Sequence, residues 1–141
     1  MTYRKALISA TVLTLLASLL IACASSNPNN FRYLISIAVT PTTADAQTFP
    51  NGQVQFTATG TFNQPPITGP VSSAAPYSGQ FSVINPVTPP ATIATIVSTG
   101  TGTATVQCVT GASGTVPISI TASANNGTST VVSGGARLTC P

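Results

Sequence analysis

The chain has 141 residues, of which only four are Lys or Arg, one is Asp or Glu and none is His. With no imidazole and Asp45 as the lone carboxylate, it lacks the groups for a carboxylate pair, a Ser-His-Asp triad or a metal site. The composition therefore predicts a protein that is not an enzyme and that binds no metal or cofactor. Its few cations form no basic patch, which argues against binding to nucleic acid.

The first 22 residues have the organisation of an export signal. Arg4 and Lys5 form a short basic start, and an apolar run from Ala6 to Ala22 follows it. The run ends in Leu20-Ile21-Ala22-Cys23, which resembles the lipobox of bacterial lipoproteins. In that family the Cys receives a diacylglycerol, the chain is cut before it and the new amine is acylated. The alternatives are an ordinary cleaved signal and an uncleaved anchor, although the run is at the lower limit of about 17 residues for a membrane span.

This resemblance divides the chain into three parts. It implies a signal peptide helix in residues 1–22, a lipidated Cys23 with a flexible tether in residues 23–32, and a folded domain in residues 33–141. Several acyl chains on one residue make an effectively permanent anchor, so we expect a membrane-anchored protein of the bacterial cell envelope. Position 24 is Ala. Enterobacterial lipoproteins retained in the inner membrane have Asp there, so the resemblance favours the outer membrane.

From Tyr33 onward the apolar residues recur with a period of two, which is typical of half-buried antiparallel strands. Ile35, Ile37 and Val39 share one face of the first strand, and Val54 and Phe56 lie on one face of the second. The pattern predicts seven strands, at Tyr33–Thr40, Gln53–Thr61, Gly79–Ile84, Ala91–Val97, Thr103–Thr110, Thr115–Ser123 and Ser129–Cys140. Seven short strands with frequent turns and no helical pattern after the signal indicate an all-β fold, an antiparallel β-sandwich.

The three cysteines become a single pair once Cys23 carries a lipid. Cys108 continues the apolar phase of Val106, and Cys140 continues that of Leu138, so both thiols are expected to face the core. Export places them where disulfides persist. A bridge that closes a loop of about 33 residues stabilises by roughly 3.5 kcal/mol in the chain-entropy model. Two free buried thiols are the alternative.

Residues 64–90 contain seven of the twelve prolines. Because Pro removes a ladder donor, most of this segment must be loop or sheet edge. A long irregular segment in a compact domain is either functional or disordered, and the sequence favours neither. Tyr77 and Phe81 are its candidate binding aromatics, although Phe81 falls on a predicted strand, where a core position is the commoner role.

The strand pattern as a whole resembles bacterial Ig-like domains of the group 2 type, found in adhesins and other envelope proteins. The resemblance rests on four stretches: Ile35–Thr43, Gly52–Gly60, Ala91–Val97 and Gly114–Ala122. Family members usually carry a Trp in the third strand, followed by a Ser-rich segment and an Asn. This chain has no Trp, and Phe81-Ser-Val-Ile-Asn85 occupies that place. Family domains also usually occur in tandem or fused to another domain.

Three functions fit these observations. The first is a non-catalytic binding or adhesion module that recognises an unidentified protein or glycan and exposes an aromatic or apolar patch near the Pro-rich loop. The second is a structural accessory subunit that docks on an envelope assembly by adding a strand at an open sheet edge. The third is a passive surface-coat protein whose hydroxyl-rich surface is solvating or glycosylated.

Overall fold

The computed structural model describes residues 31–87, 92–125 and 129–141, and Arg32–Pro141 forms one compact unit. The predicted signal peptide, Cys23 and all but the last residues of the predicted tether lie outside the described residues. Within the described residues, no helix has both the length and the apolar character needed to cross a membrane.

Period-two alternation produces strands throughout the described domain. Each of the seven predicted strands is present, and two additional strands have three residues each. The strands are β1 Leu34–Thr40, β2 Thr43–Asp45, β3 Gln53–Phe62, β4 Thr68–Pro70, β5 Gln80–Val83, β6 Ala94–Gly100, β7 Thr103–Cys108, β8 Gly114–Ser123 and β9 Val131–Cys140. Two single 3-10 turns, Ala46–Thr48 and Pro50–Gly52, connect β2 to β3.

The strands form two sheets. One has the order β1-β3-β7-β6, with β4 added beside β3, and the other has the order β2-β9-β8-β5. All pairs are antiparallel except β2 with β9, which is parallel. With β1, β3, β7 and β6 taken as strands A, B, E and D, and β5, β8 and β9 as C, F and G, this is the immunoglobulin arrangement. The predicted all-β, Ig-like sandwich is therefore confirmed.

The core lies between the inner faces of the two sheets. Val54, Phe56 and Ala58 of β3 are fully buried, as their alternation predicts. Ile120 of β8 and Leu138 of β9 face them from the other sheet and are also fully buried. Dispersion contacts and removal of apolar surface from water therefore hold the sheets together.

The first strand departs from simple alternation. Its pairing with β3 shifts register between Leu34 and Ser36, which is a β-bulge. A bulge adds one residue to a strand and reverses the phase of the side chains beyond it. Leu34 is therefore 2% exposed and Ile35 is 53% exposed. The prediction that Ile35 shares the core face of Ile37 and Val39 is wrong, because Leu34 takes that place.

The side chain of Asn85 forms hydrogen bonds across the connection between β5 and β6, which belong to different sheets. Its Oδ1 accepts from the backbone N–H of Ile93 at 2.8 Å and of Ala94 at 3.1 Å. Its Nδ2 donates to the Ala94 carbonyl at 2.9 Å. The side-chain amide thus pairs with both backbone groups of Ala94, much as a neighbouring strand would.

The two sheets are in close backbone contact where β1 packs on β9. A Cβ placed on Gly134 would lie 2.7 Å from the carbonyl oxygen of Ile37, and backbone cannot move aside as a flexible side chain can. Gly135, the next residue, faces outward, and its nearest such contact is 3.4 Å. Adjacent glycines therefore have different roles, the first permitting sheet contact and the second leaving space at the surface.

We expect Gly134→Ala to lower the free energy of unfolding by about 1–3 kcal/mol, because the added methyl overpacks a backbone contact. The matched control is Gly135→Ala, which we expect to stay within about 0.5 kcal/mol of wild type, as surface substitutions usually do. Urea unfolding of the two variants measures the difference. Equal stabilities for both variants would contradict the close approach of β1 and β9.

Candidate functional site

The predicted disulfide is present. Cys108 and Cys140 are bonded, with their Cα atoms 5.7 Å apart. Cys108 ends β7 in one sheet and Cys140 ends β9 in the other, so the bond links the two sheets covalently. Cys140 is buried, and Cys108 packs partly buried against the core. The expectation that both sulfurs follow the core phase of their strands is confirmed, and the pair has a structural role.

Tyr77 lies in the core, contrary to the expectation of an exposed aromatic residue. It is 8% exposed, and its ring centroid is 5.2 Å from that of Phe62 at a tilt of 55°. Its hydroxyl donates to the Arg32 carbonyl at 3.3 Å, and its own carbonyl accepts from the Ser123 N–H at 2.7 Å. Tyr77 thus ties the Pro-rich segment to β8 and to the start of the domain, and its ring is not available to a ligand.

Arg32 adds a cation to this cluster, over the ring of Phe62. Its guanidinium carbon lies 3.4 Å from the Phe62 ring centroid, a cation–π contact. The same guanidinium donates to the carbonyl of Pro66 at 2.7 Å and to that of Gln64 at 3.4 Å. One of the two arginines in the compact unit therefore has a structural role, because it binds the start of the domain to the β3–β4 loop.

Phe81 is half-buried on the inner side of β5, opposite Ile120 of β8. It packs against the core, as its position on a strand suggests, and its remaining surface lines a hollow of about 310 Å³. Val71 and Gly102 line the same hollow. Of the two candidate binding aromatics, Phe81 is therefore the one with accessible surface, although it also packs against the core.

Much of the Pro-rich segment has defined structure. It supplies β4 and β5, and between them the Gly79 N–H donates to the Ser72 carbonyl at 2.8 Å and the Ala74 N–H donates to the Ser72 hydroxyl at 3.0 Å. Residues 88–91 of the segment lie outside the described residues. Its described part is therefore anchored loop and edge strand.

The outer face of the four-stranded sheet carries a broad surface depression. Register places Thr43, Arg137 and Pro117 directly across from one another on β2, β9 and β8. In the next row Gly135 stands opposite Ser119. Directly paired residues point to the same face of a sheet, so these five positions form two adjacent outward rows.

A groove of about 540 Å³ lies over these two rows. Ile84, which follows β5 and is 56% exposed, forms its apolar end. Gly135 deepens the groove because it has no side chain, and Arg137 lines it as an exposed residue on the outward face of β9. Over residues 31–87, 92–125 and 129–141, the guanidinium of Arg137 makes no hydrogen bond or ion pair. A groove with an unpaired cation and neutral hydroxyls can bind an anionic, polar ligand.

The groove was not predicted from the sequence, in which Arg137 counted only as a charge. A partial signal existed, because the outward phase of the last strand is polar or small from Ser133 onward: Ser133, Gly135, Arg137 and Thr139. The neighbours of Arg137 come from β2 and β8, and only the strand register assigns them. No group of three or more His, Cys, Asp or Glu side chains that could hold a metal ion occurs in the part of the chain described.

Comparison with known proteins adds no relative. No family model, no curated protein and no solved structure gives a significant match to the chain.

We expect Tyr77→Ala to destabilise the domain by about 3–5 kcal/mol, as for other large buried aromatics cut to Ala. Tyr77→Phe keeps the ring and loses only the hydrogen bond to the Arg32 carbonyl, which should cost about 1 kcal/mol. Chemical denaturation of both variants separates packing from hydrogen bonding. A wild-type stability for Tyr77→Ala would show that the ring is not part of the core.

Proposed function

We propose that this chain is a lipid-anchored protein of the bacterial cell envelope, in the outer membrane, whose Ig-like sandwich is a non-catalytic binding or adhesion module. The anchor is supported by the basic start, the apolar run and the Leu20-Ile21-Ala22-Cys23 motif. The absence of Asp at position 24 supports the outer membrane by resemblance to enterobacterial lipoproteins. The membrane is thus the first partner of the protein, through its lipid.

The binding role rests on one observation, the groove over the four-stranded sheet with the unpaired guanidinium of Arg137. Concave surfaces that combine apolar walls with a few placed polar groups are the usual sites of ligand binding. The scarcity of ionisable groups in the sequence leaves no general acid or base to act on a bound ligand. Recognition without reaction is the function that fits both observations.

The anchor is tested by growth with a palmitate analogue that can be detected after incorporation. We expect wild-type protein to carry the label and to fractionate with the outer membrane, and Cys23→Ala to carry none. Ser25→Ala is the matched control, because it alters a neighbouring residue and keeps the acceptor thiol. Absence of label from the wild type, or equal label in the wild type and Cys23→Ala, would refute lipidation at Cys23.

A second function, docking in an envelope assembly by strand addition, is favoured by the edge strand β6. Natural edge strands are usually protected by charges or Pro. Ala94–Gly100 contains neither. Only the start of β6 is covered, by Asn85, and Val97 is 47% exposed. A register shift between Ile96 and Ser98 bends this edge, and no described strand pairs with its outer side.

Strand addition predicts a stoichiometric partner that co-purifies from gently solubilised membranes. We expect Val97→Lys to abolish co-purification, because a charge on an edge opposes strand pairing. Thr121→Lys is the control, since Thr121 is exposed on the outer face of the central strand β8. Loss of the partner with both variants, or with neither, would contradict docking at β6.

A further inference from the structure

We propose that the groove over the four-stranded sheet binds a carboxylated saccharide, and that Arg137 pairs with the carboxylate. This inference rests on the proposed binding function and adds to it the site, the ligand class and the residue that selects the charge. Three features indicate this ligand class: the charge of Arg137, the shape that Gly135 creates and the chemistry of the surrounding side chains.

The charge of the groove comes from Arg137 alone. The other cation of the compact unit, Arg32, is occupied by the Phe62 ring and by two carbonyls. The Arg137 guanidinium has no partner among the described residues, and it presents a planar fork of donors that matches the two oxygens of a carboxylate. We therefore expect the ligand of this groove to carry an anionic group that pairs with Arg137.

The shape of the groove depends on Gly135. The residue stands between Ser133 and Arg137 on the outward phase of β9, where any side chain would project into the groove. Its φ is outside the left-handed range, and a Cβ placed on it would lie 3.4 Å from the nearest atom, so neither backbone conformation nor crowding requires Gly there. The missing side chain leaves space beside the guanidinium for a ligand.

The other groups suit a saccharide better than an acidic peptide. Hydroxyls of Thr43 and Ser119 line the groove, and each can both donate to and accept from a sugar hydroxyl. Ile84 and Pro117 supply apolar surface for the C–H face of a sugar ring. Peptide and protein partners are usually held by Trp, Tyr or Arg side chains in well-packed, fully desolvated pockets, whereas Arg137 is exposed. The lining of this groove includes no aromatic residue.

Asp45 opposes the bound anion and so provides an internal test. It lies on the same outer face as Arg137, one row away, because Asp45 pairs with Thr139 and Thr43 with Arg137. Its Oδ1 accepts from the Gln47 N–H at 3.0 Å, which caps the first 3-10 turn. Asn caps such turns as well as Asp does, so Asp45→Asn removes the negative charge and keeps the local structure.

The experiment is calorimetric titration of the full-length protein in detergent micelles with oligogalacturonate. The matched ligand is the same oligosaccharide after carboxyl reduction, which keeps the hydroxyls and loses the charge. We expect the acidic form to bind more tightly than the reduced form, and its binding to weaken as salt is raised because the pair is exposed to solvent. Arg137→Gln should weaken binding of the acidic form by up to about fivefold, the contribution of a solvent-exposed ion pair. Arg137→Lys should retain part of the affinity, since it keeps the charge and loses the fork.

Two further variants separate the groove from general electrostatics. Gly135→Val should abolish binding by filling the groove, and it suits a strand, so thermal unfolding should remain as in wild type. Asp45→Asn should strengthen binding about two- to threefold, by removing a screened repulsion at diagonal-neighbour distance. A residue with a merely structural role would not produce an increase.

Equal affinity for the acidic and the reduced oligosaccharide would overturn the proposal, as would wild-type affinity in Arg137→Gln. Tighter binding of an oligoglutamate peptide with the same dependence on Arg137 would show that the occupant is an acidic protein segment. No binding of either ligand would reject the site. Retained palmitate labelling together with retention of other envelope components in pull-down would then leave the proposed function standing.

Discussion

The Cys108–Cys140 bond joins two sheets that are otherwise held together mainly by apolar burial. Each sheet presents a row of fully buried side chains, such as Phe56 from one and Leu138 from the other, and no described charge takes part in the core. Burial of apolar area is not directional, so it does not by itself fix how one sheet lies over the other. The disulfide and the close approach of Gly134 to Ile37 supply two fixed points for that packing.

The scarcity of charge gives each remaining ionic group a separable role. Arg32 is fixed at the entry of the domain, where it lies over Phe62 and holds the β3–β4 loop. Asp45 caps a turn, and Arg137 has no structural partner in the described domain. Unpaired polar groups on an otherwise satisfied scaffold are where binding is expected, because the fold gains nothing from them. Arg32 therefore has a structural role, whereas Arg137 is exposed at the surface and available to a ligand.

The strands were predictable because a half-buried sheet requires period-two alternation, and β3 and β8 show it without interruption. The sequence did not predict which side chain at the start of β1 faces the core. A bulge leaves no local sequence signal when apolar residues such as Leu34 and Ile35 are adjacent. The burial of Tyr77 was not predicted for a related reason, since a position in a loop does not indicate whether a ring packs into the core. The groove depends on register between three strands, and alternation within one strand cannot specify register.

The proposed site and the proposed anchor together favour polymeric ligands. A single guanidinium at a solvated surface gives a weak contact, because water and salt screen the pair. Lipid-anchored copies share one membrane surface, and an acidic polysaccharide repeats its carboxylate along the chain. Linked sites raise avidity by about 10²–10⁴ when geometry allows simultaneous engagement. A neutral, hydroxyl-rich face with one cation per copy would then hold a polymer firmly and release its monomers readily, which is the behaviour that a surface adhesion module requires.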